Sequence, residues 1–157
     1  MKKIINKPSD FVDETIDGLI KSHPDIYSLA TDNSRVIKRT DKASNKVGLV
    51  TGGGSGHLPV FTGYVGKGLL DSCAIGSVFA SPSVDQITSA IRNADNGNGV
   101  ICIIGNYGGD VMNFEMACEI VKEDGINTKT VIVADDIASA KPEEKEKRRG
   151  IAGMIFV

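Results

Sequence analysis

The stretch Thr51-Gly52-Gly53-Gly54-Ser55-Gly56-His57-Leu58-Pro59 constrains this chain more than any other, because it follows the apolar run Val47-Gly48-Leu49-Val50 directly. Four glycines within six positions take away the Cβ atoms that would stop a backbone from turning sharply or lying against a bound molecule. The pattern reads as a strand whose carboxyl end opens into a ligand site. A helical pattern is expected to resume after Pro59, over Val60, Phe61, Tyr64 and Val65, and to stop at Gly66-Lys67-Gly68. Three glycine signatures can be tested on the stretch, and each fails at one place. A P-loop needs Gly-Lys-Ser/Thr, and the stretch has no lysine. A dinucleotide fingerprint begun at Gly52 and Gly54 needs glycine at 57, and Asp71 precedes the next apolar stretch instead of following it. A nucleophile elbow read as Gly53-Gly54-Ser55-Gly56-His57 also breaks at His57. What remains is a turn that presents a histidine.

The rest of the chain alternates short apolar runs with helical patterns. Phe11, Val12, Ile16, Leu19 and Ile20 form one stripe over residues 9–21, with Ser9 as the expected N-cap. Strands are expected at 36–39, 47–50, 72–75 and 100–104, with another buried strand at 128–134 and a last buried one at 150–157. Pro82 is expected in the first turn of a helix carrying Val84, Ile87, Ile91 and Ala94, and a further helix follows Asp110 through Val111, Phe114, Met116, Ala117, Ile120 and Val121 and ends at Gly125. This is the pattern of an α/β fold, a largely parallel or mixed sheet flanked by helices. With 157 residues and 41% hydrophobic content the chain fits one domain, 1–157. Because it stops inside an apolar run, it is expected to be a fragment of something longer.

In such sheets ligands bind beyond the carboxyl ends of the strands. Residues 51–57, 77–81, 105–110 and 135–136 all follow strands and should line one rim. His57 and Asp110 are the two chemically able groups in the glycine-rich turns, so they are expected in one pocket. Each has a competing structural explanation. The glycine turn is also what a tight strand-to-helix connection needs, with His57 capping a helix or satisfying a buried carbonyl, while Asp110 is well placed to cap the helix that follows it, Ser81 and Asp135-Asp136 to cap or turn, Tyr107 to pack, and His23 to end a helix before Pro24. Eighteen basic and 20 acidic residues leave a net charge of −2, and aromatics are 5% with no Trp, which argues against a nucleic-acid or anionic-membrane surface. No signal or membrane-spanning run is visible, which gives a cytoplasmic expectation. Cys73, Cys102 and Cys118 are odd in number and widely spaced, so buried free thiols are expected, and no metal site. The charge run 141–149 reads as a solvated segment.

The landmarks Gly52-Gly53-Gly54-Ser55-Gly56-His57, Gly63-Tyr64-Val65-Gly66-Lys67-Gly68, Phe79-Ala80-Ser81-Pro82, Asn106-Tyr107-Gly108-Gly109-Asp110-Val111-Met112-Asn113-Phe114 and Arg148-Arg149-Gly150-Ile151-Ala152-Gly153 run in one order along nearly the whole chain. With these the chain resembles the dihydroxyacetone kinase family, specifically the N-terminal part of its substrate-binding subunit or domain. The resemblance implies a cytoplasmic homodimer that holds a short ketose for phosphorylation. It also implies that ATP, or ADP rephosphorylated through a phosphocarrier protein, sits with Mg on a separate subunit or domain, so that no cofactor is bound by this chain. By the family pattern Gly53, Gly54, Ser55, Gly56, His57, Ser81, Gly105 and Asp110 contact the substrate. His57 orients it and shares in proton transfer, while Asp110 receives the proton of the hydroxyl that is phosphorylated. The histidine that binds the ketone carbon covalently lies, in the family, beyond residue 157, so these residues alone are expected to be inactive. Two positions depart: the family's usual Glu is Leu58, and its usual Lys is Gly105, which removes a charged donor and leaves space for a larger ketose such as erythrulose. A non-catalytic paralogue that binds a ketose and signals to a transcriptional regulator is the alternative, and a serine hydrolase built on Ser55 a weaker rival.

Overall fold

A computed structural model of the chain describes residues 4–41, 44–150 and 152–157. The basic start at residues 1–3, positions 42 and 43 of the polar stretch, and Ile151 of the last expected strand lie outside the described residues. The elements are α1 (Phe11–Ser22), β1 (Tyr27–Leu29), β2 (Val36–Arg39), β3 (Gly48–Gly54), β4 (Ser72–Gly76), α2 (Val84–Ala94), β5 (Val100–Gly105), α3 (Gly108–Glu123) and β6 (Thr128–Val133). One six-stranded sheet runs β1-β2-β4-β3-β5-β6. The two antiparallel pairings, β1 with β2 and β2 with β4, are at one side, while β3 is parallel to β4 and β5, and β5 to β6. The expected α/β fold with a mixed, mostly parallel sheet is therefore what the chain forms.

Pleating divides the apolar residues between two faces. On one face α2 and α3 cover Val36, Val50, Ala74, Val100, Cys102 and Ile104 with Ile87, Ile91, Phe114 and Val121. On the other, α1 and the segment through Phe61, Val65 and Leu70 cover Ile37, Cys73, Ile75 and Ile103. Phe114, Ile87, Ile91 and Ile104 are wholly buried, and each such side chain contributes about 1.5–3 kcal/mol by leaving water. At the foot of β4 the buried Asp71 carboxylate takes hydrogen bonds from Lys46 (2.6 Å), Arg39 (3.2 Å) and the Leu49 backbone N–H (2.8 Å). It ties β2, β3 and β4 together from below.

Several expectations are corrected. The glycine stretch is not a turn: β3 extends through Gly54, and none of Gly52, Gly53, Gly54 or Gly56 has a positive φ. Its glycines serve close approach. A Cβ on Gly53 would lie 2.1 Å from the Phe61 ring, and one on Gly52 would lie 2.8 Å from the Ala74 carbonyl oxygen. After Pro59 only a 3₁₀ turn, Thr62–Tyr64, forms instead of a helix, because the segment must lay Phe61 over Gly53. Ser9 does not cap α1; its hydroxyl bonds Asp10 within a preceding 3₁₀ turn. Pro82 lies just before the helix, whose N-cap Ser83 forms a capping box with Gln86, worth about 1 kcal/mol. The edge strand β1, three residues long, carries no periodic signal. The expected strand at 150–157 is instead a 3₁₀ turn, Ala152–Ile155. Gly150 lies against the Val133 carbonyl and Gly105 at the strand ends and Met154 packs onto the α1-side core, so the run crosses the rim and leaves β6 as an edge strand whose residues 129–132 are exposed, where a buried strand was expected.

Candidate active site

β3 and β5 are neighbours whose chains leave to opposite faces, β3 toward Phe61 and β5 into α3. A crevice opens between such strands at their carboxyl ends. Here it is a cavity of about 400 Å³ lined by Gly54, His57, Phe61, Phe79, Ser81, Gly105, Tyr107 and Asp110, among others. His57 ends the 3₁₀ turn Ser55–His57. Its ring meets Phe79 edge-on at 5.7 Å and Phe61 at 6.5 Å between centroids, so two aromatic rings fix its direction. Asp110 stands in the first turn of α3, whose N-cap is Tyr107. It is therefore not the helix cap that its sequence position allowed. One carboxylate oxygen, Oδ1, is buried with no hydrogen-bond partner, an unusual state for a group that costs about 1–3 kcal/mol to leave unsatisfied. Burial pushes the Asp110 carboxyl above the ordinary aspartate range, against a Ser81 hydroxyl and the nearby His57, both of which pull it back. A carboxylate with one unpartnered oxygen, on a residue that lines a cavity together with an imidazole and a hydroxyl, is an arrangement suited to taking a proton from a small polyol.

The cavity thus brings together His57, Asp110, Ser81, Gly54 and Gly105. Gly53, Ser55 and Gly56 are not among its lining. Gly53 lies beneath the Phe61 ring, and the Ser55 and Gly56 N–H groups already donate to the Ser77 and Val78 carbonyls at 3.3 and 2.6 Å. Asp135 and Asp136 are off the cavity as well. Asp135 accepts from the Gly153 N–H at 2.8 Å, and Asp136 accepts from Ala138 at 3.0 Å within its own turn. Gly105 lines the cavity, but the direction in which a side chain would leave it is crowded: a Cβ there would lie 3.1 Å from the Tyr107 ring and 3.4 Å from the Gly150 carbonyl oxygen. Arg149 lies 5.9 Å over the same ring.

Sequence reasoning missed the lining by Gly150, Ala152, Met154 and Ile155. Asn106 positions that segment by donating to the Glu146 and Arg148 carbonyls at 2.9 and 2.7 Å. No local pattern announces such a strap, although Asn106 directly after a buried strand was a signal that something had to be held there. Among the described residues no group of three His, Cys, Asp or Glu side chains could hold a metal ion. No helix there is long and apolar enough to cross a membrane.

Residues 17–157 match the Dak1 domain family. The dihydroxyacetone-binding subunit DhaK of a PTS-dependent dihydroxyacetone kinase from Listeria innocua is 48% identical over the whole chain, which spans 47% of that protein. An L-erythrulose 1-kinase from Mycolicibacterium smegmatis is 44% identical over the whole chain and 27% of its own length. The chain therefore spans about half, or less, of the curated relatives it matches. The crystal structure of the dihydroxyacetone kinase from C. freundii, in complex with AMP-PNP and Mg²⁺, superposes with a TM-score of 0.89 at 38% identity, covering 98% of this chain and 29% of that one. A dihydroxyacetone kinase operon co-activator, Dha-DhaQ, does so with a TM-score of 0.81 at 30% identity, covering 91% and 43%.

Proposed function

The chain belongs to the Dak1 domain family, and from that premise we propose that it is the part of a dihydroxyacetone-type kinase that holds a short ketose while a separate subunit or domain brings the nucleotide. The observation that carries this reading is the buried, unpartnered Asp110 oxygen in a cavity shared with His57 and Ser81. A ketose hydroxyl satisfies that oxygen, and Asp110 takes the hydroxyl proton as its oxygen attacks phosphorus. His57, braced by Phe61 and Phe79, orients the substrate from the opposite wall and shares in proton transfer. Residues 1–157 act as one α/β domain of a longer two-domain chain, a reading supported by the single sheet and by the greater length of the relatives. Nucleotide, Mg²⁺, any phosphocarrier and a second copy of the chain are partners outside this cavity, and the cytoplasm is the proposed setting.

The test is to express the complete protein, mix it with a nucleotide-binding kinase subunit and a phosphoryl donor, and follow phosphate ester formation on dihydroxyacetone and erythrulose. Turnover of either supports the reading. Tight ketose binding with no turnover by any donor favours instead the signalling paralogue, which the likeness to the operon co-activator supports.

The Asp110 environment sets the pH profile. A base must be ionised to work, and burial raises this carboxyl, so turnover is expected to fall on the acid side above the range of an exposed aspartate. A profile flat down to the ordinary aspartate range would remove Asp110 from the role. Gly105→Lys tests specificity. The new side chain must displace the half-exposed Tyr107 ring, and its ammonium then reaches toward the cavity. The expected result is a preference shifted toward dihydroxyacetone and away from erythrulose; equal loss of both substrates would show that position 105 only packs against Gly150.

A further inference from the structure

Away from the cavity, two of the cysteines meet. Pleating puts Val100, Cys102 and Ile104 on the α3 face of β5, and the strand register sets Cys102 beside Thr130 of β6. α3 lays Phe114, Ala117, Cys118 and Val121 onto that same face. The Cys118 sulfur lies 4.0 Å from Thr130 Oγ1, and Thr130 is the register partner of Cys102, so both thiols belong to the same packed layer between α3 and the β5–β6 pair. Cys102 is buried, whereas Cys118 is partly exposed. The pair therefore has one thiol that solvent reaches and one that it does not.

We propose that Cys118 is an oxidation site and Cys102 its resolving partner, so that hydroperoxides convert the pair into an intrachain disulfide. The Cys118 thiolate attacks the peroxide, forming an S–O bond as the O–O bond breaks. The leaving oxygen takes a proton and departs as an alcohol, or as water from hydrogen peroxide. Cys118 is then a sulfenic acid. The Cys102 sulfur attacks it, forming the S–S bond as the S–O bond breaks, and the hydroxyl leaves as water with the Cys102 proton. Two thiols lose two electrons and two protons, and the hydroperoxide is reduced.

The environment favours this order of events. The Cys102 thiol, with the Thr128 and Thr130 hydroxyls, draws the Cys118 thiol below its usual range against the effect of burial. The same pairing, with burial, pushes Cys102 up, so Cys118 supplies the attacking thiolate. Cys73, buried on the other face, is pushed up by burial alone and serves as an internal control. The bridge would join β5 to α3, the two elements whose connecting turn carries Gly105, Tyr107 and Asp110. It does not depend on the kinase reading, so the two stand or fall separately.

The purified full-length protein is treated with hydrogen peroxide, free thiols are blocked with N-ethylmaleimide, and peptides are mapped by mass spectrometry with and without dithiothreitol. Free thiols among Cys73, Cys102 and Cys118 should fall from three to one. The residues 102 and 118 should appear in one linked peptide pair, lighter by two hydrogens and released by dithiothreitol, with Cys73 still alkylated. In Cys102→Ser the disulfide should be absent and Cys118 should be trapped by dimedone as a sulfenic acid. Retention of all three thiols, or oxidation of Cys118 to sulfinic acid in the wild-type protein with Cys102 still alkylated, would overturn the proposal. The wild-type map decides the question even if a variant folds poorly.

Discussion

Asp110→Asn, assayed in the complete protein with its nucleotide-bearing partner, should lower kcat by about 10²- to 10⁴-fold, the usual contribution of a positioned general base. Ketose affinity should change much less. Asn keeps the shape of Asp and still offers one acceptor oxygen beside Ser81, but it cannot take a proton from the attacking hydroxyl. A stability measurement separates this role from a structural one. Because burial raises this carboxyl, the folded state holds the proton more tightly than the unfolded chain. Its contribution to stability therefore falls as pH rises from the ordinary aspartate value through the raised one, opposite in sign to a salt-bridged carboxylate. Removing the charge should leave the Tm at neutral pH unchanged or higher. A variant with wild-type turnover and a Tm several degrees lower would show that Asp110 supports α3 and does no chemistry.

The largest expected effect on stability lies far from the cavity. Asp71→Ala should destabilise the fold by about 3 kcal/mol, the lower end of the range for removing one partner of a buried ion pair. The lower end applies because Arg39 keeps a second carboxylate, Asp41, at 2.7 Å and Lys46 is one-third exposed and can turn to water. What Ala cannot replace is the acceptor for the Leu49 N–H at the start of β3. Asp71→Asn retains that acceptor and should recover part of the loss. Urea unfolding at neutral pH measures both. Identical midpoints for the wild type and Asp71→Ala would mean that the β2, β3 and β4 junction is held by its apolar contacts alone.

How far the sequence reaches can be judged from particular residues. The stripes at Val12–Ile16, Ile87–Ile91–Ala94 and Phe114–Val121 each settle on a helix, because a 3.6-residue apolar period can be buried only one way. The uninterrupted run at 100–104 settles on a central strand for the corresponding reason. Parallel strands alternating with helices then force residues 54–57, 81 and 105–110 onto one rim, so the meeting of His57, Ser81 and Asp110 was legible before any coordinates.

What was not legible depends on contacts between distant parts of the chain. Glycine removes a Cβ wherever it stands, and sequence cannot say whether the vacated volume belongs to a ligand or to the protein itself. Here Phe61 fills it over Gly53, and the Val78 carbonyl fills it beside Gly56. An apolar run such as Gly150 to Val157 has the same composition whether it pairs as a strand or crosses a rim, and only its packing against Gly105, Val133 and the cavity decided the matter. The capping role of Asp110 likewise hung on where α3 begins. Two residues of extra helix, Gly108 and Gly109, moved its carboxylate from the cap into the cavity wall. Local periodicity and hydrogen-bonding chemistry, being short-ranged, determined the elements and the rim on which the site lies. Packing, which joins residues tens of positions apart, decided which glycines face the cavity, what its walls are made of, and which carboxylate oxygen was left without a partner.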